Sequence, residues 1–215
     1  MELERVLPEE IEKRSFEIIT EELGNRALDP KQAPVIKRVI HTTADFDYAD
    51  NLVFSPGVME LAWEALRQGA PIITDTNMGK AGINKKRLEK TGSTVYCFMA
   101  DEDVAENARR RQTTRASASM DKAASLGLHG IFAIGNAPTA LVRLHELMQE
   151  GKLHPRLIIG VPVGFVNVVQ AKELILSDDV PYIIARGRKG GSNVAAAICN
   201  ALLSGVYYES ADRQP

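Results

Sequence analysis

Imidazole is the side chain whose charge changes near neutrality in an ordinary environment, and His41 occupies a position where that property is usable. Apolar residues at helical spacing lead up to it from Ile36, and Thr42, Thr43, Asp45 and Asp47 follow directly. At a helix C-terminus the dipole favours the protonated ring, which can then give and retake a proton within one turnover. A structural histidine would suit the same place, and the residues alone leave both roles open. His129, His145 and His154 have plainer settings: before a strand, on a polar helix, and in a loop before Pro155. None of the four stands at metal-ligand spacing from another His, Cys or carboxylate. There is no GxSxG elbow, no Cys/His pairing and no carboxylate dyad, so nucleophilic catalysis has no visible machinery.

A second kind of chemistry gathers where apolar runs end in glycine. Four such stretches read DTNMGKAG at 75–82, GNAPTA at 135–140, GVPVGFVN at 160–167 and RGRKGGSN at 186–193. Glycine admits close backbone approach, and each stretch leads toward a helix N-terminus whose free N–H groups favour anions. The last adds Arg186, Arg188 and Lys189. It has neither the GxGxxG order of dinucleotide folds nor the GxxxxGK[ST] order of P-loops. An anion cradle and a plain turn with solvated cations both fit it. The stretch RRRQTTRASAS at 109–119 is a second basic cluster, in which Arg115 stands among hydroxyls and small residues and can grip a carboxylate. A solvated helix face accounts for Arg109, Arg110 and Arg111.

These residues need elements to position them. Short apolar runs at 51–54, 71–74, 94–99, 130–135, 157–161 and 181–186 read as strands buried on both faces. Helices are expected at 9–23, 30–42 (Asp29 as cap, Pro30 first), 57–68, 103–126, 139–149, 166–176 and 192–204. The alternation implies a single α/β domain over 1–215, doubly wound, with a mostly parallel sheet, helices on both faces and a frayed tail from about 209. Ligands of such sheets bind beyond the carboxyl ends of the strands, where the four glycine-rich stretches fall.

Composition sets outer limits. A chain of 215 residues with 45% hydrophobic and 25% charged content can build one sizeable core. Its net charge of −2 and the absence of aromatics among its basic clusters disfavour nucleic acid. No run is long enough to span a bilayer, and the charged start is unlike a secretory signal, so a cytoplasmic protein is expected. Cys97 and Cys199 lie in apolar segments and read as buried thiols, not as a disulfide or metal pair.

Six segments occur together in a familiar order: KRSFEII at 13–19, RVIHT at 38–42, LVFSPG at 52–57, GNAPTAL at 135–141, GVPVGFV at 160–166 and RGRKGGSN at 186–193. The chain closely resembles the precorrin-8X methylmutase family, including the cobalt-precorrin-8 methylmutases, from about residue 8 to about 205. The resemblance implies an isomerase of cobalamin biosynthesis that moves a methyl group from C-11 to C-12 of a corrinoid. Its product would be hydrogenobyrinate or, with cobalt, cobyrinate. It implies a suprafacial 1,5-sigmatropic shift without external cofactor or protein-bound metal, and a homodimer whose site is completed across the interface. His41 falls on the family's acid/base histidine, which protonates the ring system. Ser15 and, on the shorter TTRASA match, Arg115 become substrate contacts. Asn136, Arg186 and Ser192 are further candidates for holding the carboxylates of a flat tetrapyrrole, whose ring Val161, Pro162, Val163 and Phe165 would wall.

Two other classes are carried beside this one. A corrinoid carrier would need the crevice but not the histidine. An NAD-dependent oxidoreductase would need the missing glycine fingerprint.

Overall fold

The computed structural model describes residues 4–211, with side chains through residue 206. Eleven helices and six strands alternate through these residues: α1 (Ile11–Leu23), α2 (Ala33–Thr43), α3 (Tyr48–Asn51), β1 (Leu52–Phe54), α4 (Val58–Arg67), β2 (Ile72–Thr74), α5 (Asn77–Gly82), α6 (Lys85–Thr91), β3 (Val95–Tyr96), α7 (Glu102–Arg110), α8 (Arg115–Ser125), β4 (Ile131–Ile134), α9 (Pro138–Gln149), β5 (Leu157–Gly160), α10 (Val168–Ser177), β6 (Tyr182–Ala185) and α11 (Ser192–Ala211). The strands form one sheet in the order β1-β6-β5-β4-β2-β3, all parallel except β1, which runs antiparallel to β6 at an edge.

The fully apolar strands are explained by two cores. In β4, Ile131 and Ala133 join one cluster with residues of α1, α2, α4 and α11, while Phe132 and Ile134 join the other with α7 to α10. Alternate residues of a strand point to opposite faces, so covering both faces with helices favours apolar residues throughout, and the buried hydroxyl of Thr74 in β2 donates to the Tyr96 carbonyl. The doubly wound α/β arrangement expected from sequence is the one formed.

α2 presents Val35, Ile36, Val39 and Ile40 to the core and ends at Ala44, which adopts a left-handed conformation at φ 52°. It packs on α11, whose Ala195, Ala196, Ala197 and Ala201 are buried. Small residues let α11 lie close to its neighbours, as at Gly82 of α5, where a Cβ would stand 2.8 Å from the Ala196 methyl.

Three expectations need correction. The helix expected from Pro30 starts at Ala33, because the Asp29 carboxylate accepts the Lys31 and Gln32 amides at 2.8 and 3.2 Å and so caps a separate turn. The helix expected over 103–126 is two, broken at Gln112 (φ 51°) and restarted by Thr114, whose hydroxyl accepts the Ser117 amide at 3.1 Å. The strand expected over 94–99 pairs only at Val95–Tyr96, and α3, α5 and α6 were not anticipated. Of the tail expected to fray, residues 212–215 lie outside the described residues.

The neighbours β4 and β2 continue in opposite directions, β2 onward to β3 at one edge and β4 onward to β5. The crevice of a doubly wound fold therefore opens between their carboxyl ends.

Candidate active site

Asp75, the first residue after β2, stands in that crevice and is buried. Its carboxylate accepts the amides of Gly135, Asn136 and Ala137 at 2.9, 2.8 and 2.7 Å, across to the exit of β4. Burial pushes its carboxyl above the ordinary range, and the three donated hydrogen bonds oppose that shift. The amides expected to receive a ligand anion at this exit are thus occupied by the chain's own carboxylate. The Asn136 side chain is exposed above them.

Around this centre the exits are tied together. Thr76 caps α5 through the Gly79 amide at 3.0 Å, and its hydroxyl meets the Ser192 hydroxyl at 2.7 Å. Gly135 abuts Gly191 and Ser192 so closely that a Cβ would come within 2.7 Å of the Ser192 Cα. Thr114 and Thr139 share a hydrogen bond of 2.8 Å, which sets the start of α8 beside the start of α9. Arg115, exposed at the first position of α8, is thereby brought to the Asn136 turn. Arg186 is exposed after β6, its amide bonded to the Asn51 carbonyl at 2.8 Å.

His41 belongs to a second group, built where α1 crosses α2. Its Nδ1 lies 2.8 Å from the Ser15 Oγ, and its ring stacks on Phe16 with centroids 5.2 Å apart and planes 12° from parallel. Arg38 covers Phe16 with its guanidinium 4.7 Å from the ring centroid and pairs with Glu12, whose carboxyl it holds below the ordinary range. Lys37 adds a bond to the Thr20 hydroxyl at 2.9 Å. With Nδ1 bonded to Ser15, the imidazole of this exposed residue keeps Nε2 as its second nitrogen. Ser15 can donate to Nδ1 or accept from it, so it accommodates both charge states of the ring. Phe16 and Arg38 also line a cavity of about 760 Å³ between α1, α2, α4 and α11. Val35, Met59 and Trp63 give it apolar walls, and Lys13, Lys37 and Arg87 add cations.

The two groups are joined by one bridge. Lys189, in the turn after β6, donates to Asp45 and Asp47 just beyond the end of α2, both at 2.6 Å. It depresses the Asp45 carboxyl and is itself raised. Asp45 and Asp47, noted as close to His41 in sequence, are thus partners of Lys189. The ring-walling role expected for Val161 and Pro162 also fails, since both are buried, whereas Val163, Phe165 and Val166 are 47%, 80% and 81% exposed.

Of the candidate residues, then, His41 and Ser15 are in direct contact. Ser192, Asn136 and Arg115 cluster at the exits, apart from the His41–Ser15 pair. Sequence reasoning missed Asp75, Thr76, Phe16 and Arg38. The last two lie inside the segments that carried the resemblance. Among the described residues no group of three or more His, Cys, Asp or Glu side chains could hold a metal ion, and no helix is long and apolar enough to cross a membrane.

A family model described as precorrin-8X methylmutase (CbiC) matches residues 10–205. The chain belongs to this family. Among precorrin-8X methylmutase relatives, the cobalt-precorrin-8 methylmutase of Priestia megaterium is 45% identical over 97% of this chain and 95% of that protein. The precorrin-8X methylmutase of Pseudomonas aeruginosa is 37% identical over 89% and 93%. A solved structure of the Thermus thermophilus precorrin-8x methyl mutase superposes with a TM-score of 0.86 at 38% identity, covering 93% of this chain and 98% of that one. The methylmutase fold is therefore shared over nearly the whole chain, and both groups of candidate residues fall inside the matched region.

Proposed function

We infer that the chain catalyses the isomerisation of its family, in which a methyl group migrates from C-11 to C-12 of a corrin precursor in cobalamin biosynthesis. The observation that carries this reading is the His41–Ser15 pair, an exposed imidazole fixed at Nδ1 within 2.8 Å of a hydroxyl. In its protonated form the ring donates from Nε2 to the macrocycle while Nδ1–H is accepted by Ser15. After the methyl group has moved, the same nitrogen recovers the proton, so charge and atoms balance without redox partner or nucleophile. Restraint of a flat ring and one placed proton suffice for an intramolecular shift.

The carboxylates that fringe such a substrate are met by Arg115 and Arg186, with the Asn136 side chain and the Ser192 hydroxyl as neutral partners. Exposed Val163, Phe165 and Val166 offer apolar contact to the ring. A second copy of the chain completes the site, a reading supported by the exposure of His41, Arg115 and Phe165. The inferred compartment is the reducing cytoplasm, in keeping with the free thiols of Cys97 and Cys199.

Conversion of the substrate chromophore to that of the corrin product, followed by absorbance, tests the function. A His41→Ala variant should bind the pigment yet lose turnover by about 10²- to 10⁴-fold, the usual contribution of a placed acid/base. Undiminished turnover would remove His41 from the mechanism, and pigment binding without conversion by the parent protein would leave only a carrier. Higher identity to the cobalt-named relative, 45% against 37%, supports the cobalt form as substrate. An equal or greater kcat/KM for the metal-free form would refute that choice.

A further inference from the structure

Lys172 of α10 is wholly buried, at 0% exposure, and among the described residues it is not paired with a carboxylate. Its ammonium donates to the carbonyls of Gly187 and Lys189 at 2.8 and 2.9 Å, in the turn between β6 and α11. Charged groups on the surrounding elements are directed elsewhere. His145 of α9 binds Asp178 beyond the end of α10, Glu173 is exposed, and Lys189 turns its own ammonium to Asp45 and Asp47. Arg186 and Arg188 of the turn are exposed, and Tyr182 of β6 is half-buried. A buried lysine without a counter-charge is costly, which raises the question of what the arrangement secures.

The answer lies in the peptide planes. A trans peptide sets its C=O and N–H on opposite sides, so two carbonyls drawn inward to Lys172 send the amides of Arg188 and Gly190 outward. Neither amide has a backbone acceptor among the described residues. The rest of the turn is fixed by the neighbouring exit: the Gly191 amide donates to the Val161 carbonyl at 2.9 Å, and the Gly164 amide to the Arg188 carbonyl at 3.2 Å. Glycine is required at 190, where a Cβ would stand 2.0 Å from the Val161 oxygen.

We propose that Lys172 is a positioning residue for the reaction, holding the turn after β6 so that the outward amides of Arg188 and Gly190 receive a carboxylate of the tetrapyrrole substrate. The cation behind the turn supplies the positive field, and the amides supply the directed donors. This rests on the corrinoid reading above. Burial brings the Lys172 ammonium down to about 8, so its charge is lost in mildly alkaline solution.

Two measurements with the corrinoid substrate test the proposal. In the parent protein KM should rise about tenfold between pH about 7 and about 9, as a charge-assisted contact is lost, with kcat changed far less. In Lys172→Met, which keeps the length and burial of the side chain, KM should already be raised at neutral pH and should no longer respond over that range. A circular-dichroism melt establishes that the variant is folded. A parent KM that stays flat across the range overturns the proposal, whether or not the variant folds, and so does a folded variant with the parent's KM and pH profile. If the parent fails to convert the substrate at all, the functional reading fails instead.

Discussion

Ser15 and His41 lie on different helices 26 positions apart, yet their hydrogen bond is one of the contacts that fix α1 against α2. Removing the hydroxyl should free the imidazole to rotate without altering the surface that binds the ring. Ser15→Ala is expected to lower kcat about tenfold, the effect of losing a hydrogen bond of roughly 1.4 kcal/mol, and to leave KM near the parent value. Steady-state kinetics checks it, and a change confined to KM would make Ser15 a binding group only. Asp75 answers to a different measurement. An amide cannot accept three hydrogen bonds as the carboxylate does, so Asp75→Asn should lower stability by about 1 to 3 kcal/mol in urea denaturation. Lys172 adds a dependence on pH with a definite sign. Its native value of about 8 lies below the ordinary 10.5, so between these limits the unfolded chain holds more protons and stability rises with pH. Lys172→Met should abolish that rise, checked by denaturation at pH about 7 and about 10. His41 was legible in sequence because it ends an apolar helical stripe. Asp75 was not, since an aspartate between a strand and a glycine-rich segment reads as an ordinary turn residue. Its three partners come from 60 to 62 positions away.

Among the elements, boundaries proved harder to read than identities. The six strands were legible because each is a short apolar run, and the main helices because their buried residues repeat at helical spacing. What escaped notice was local side-chain chemistry: the Asp29 carboxylate that closes its own turn, and the Thr114 hydroxyl that restarts a helix. The Thr114 break sets the place of Arg115, which an unbroken helix would carry in mid-span and not at a helix start beside α9. The contact of Gly135 with Gly191 and Ser192 is an element-scale feature sensitive to change. Gly135→Ala would insert a methyl group where 2.7 Å is available, so overpacking should cost about 1 to 3 kcal/mol of stability. It should also weaken substrate binding, because the turn after β6 must move to admit the methyl group. Thermal melts and KM report the two effects separately.

For the molecule as a whole, the parallel course of β2 to β6 brings their exits to one side, and the Lys189 bridge joins the turn after β6 to the end of α2. If each site draws His41 from one copy and Arg115 from the other, two defective variants should repair one another. Mixing His41→Ala with Arg115→Ala under conditions that exchange subunits should restore about a quarter of parental activity, because random pairing gives half mixed dimers with one intact site each. No recovery in demonstrated mixed dimers would place both residues in a single copy's site. The global arrangement was legible from the alternation of patterns, whereas the sealed crevice was not, because sealing depends on contacts between distant segments.

That seal has a consequence for selectivity. In doubly wound proteins the slot between diverging strands is where nucleotides ordinarily lodge, with phosphates against free amides. Here a resident carboxylate fills the slot from within, so phosphate would meet both an occupied donor set and a like charge. Nucleotide phosphate is thereby kept from this slot by the protein's own interior, and ATP or NADH added to the assay should leave turnover unchanged.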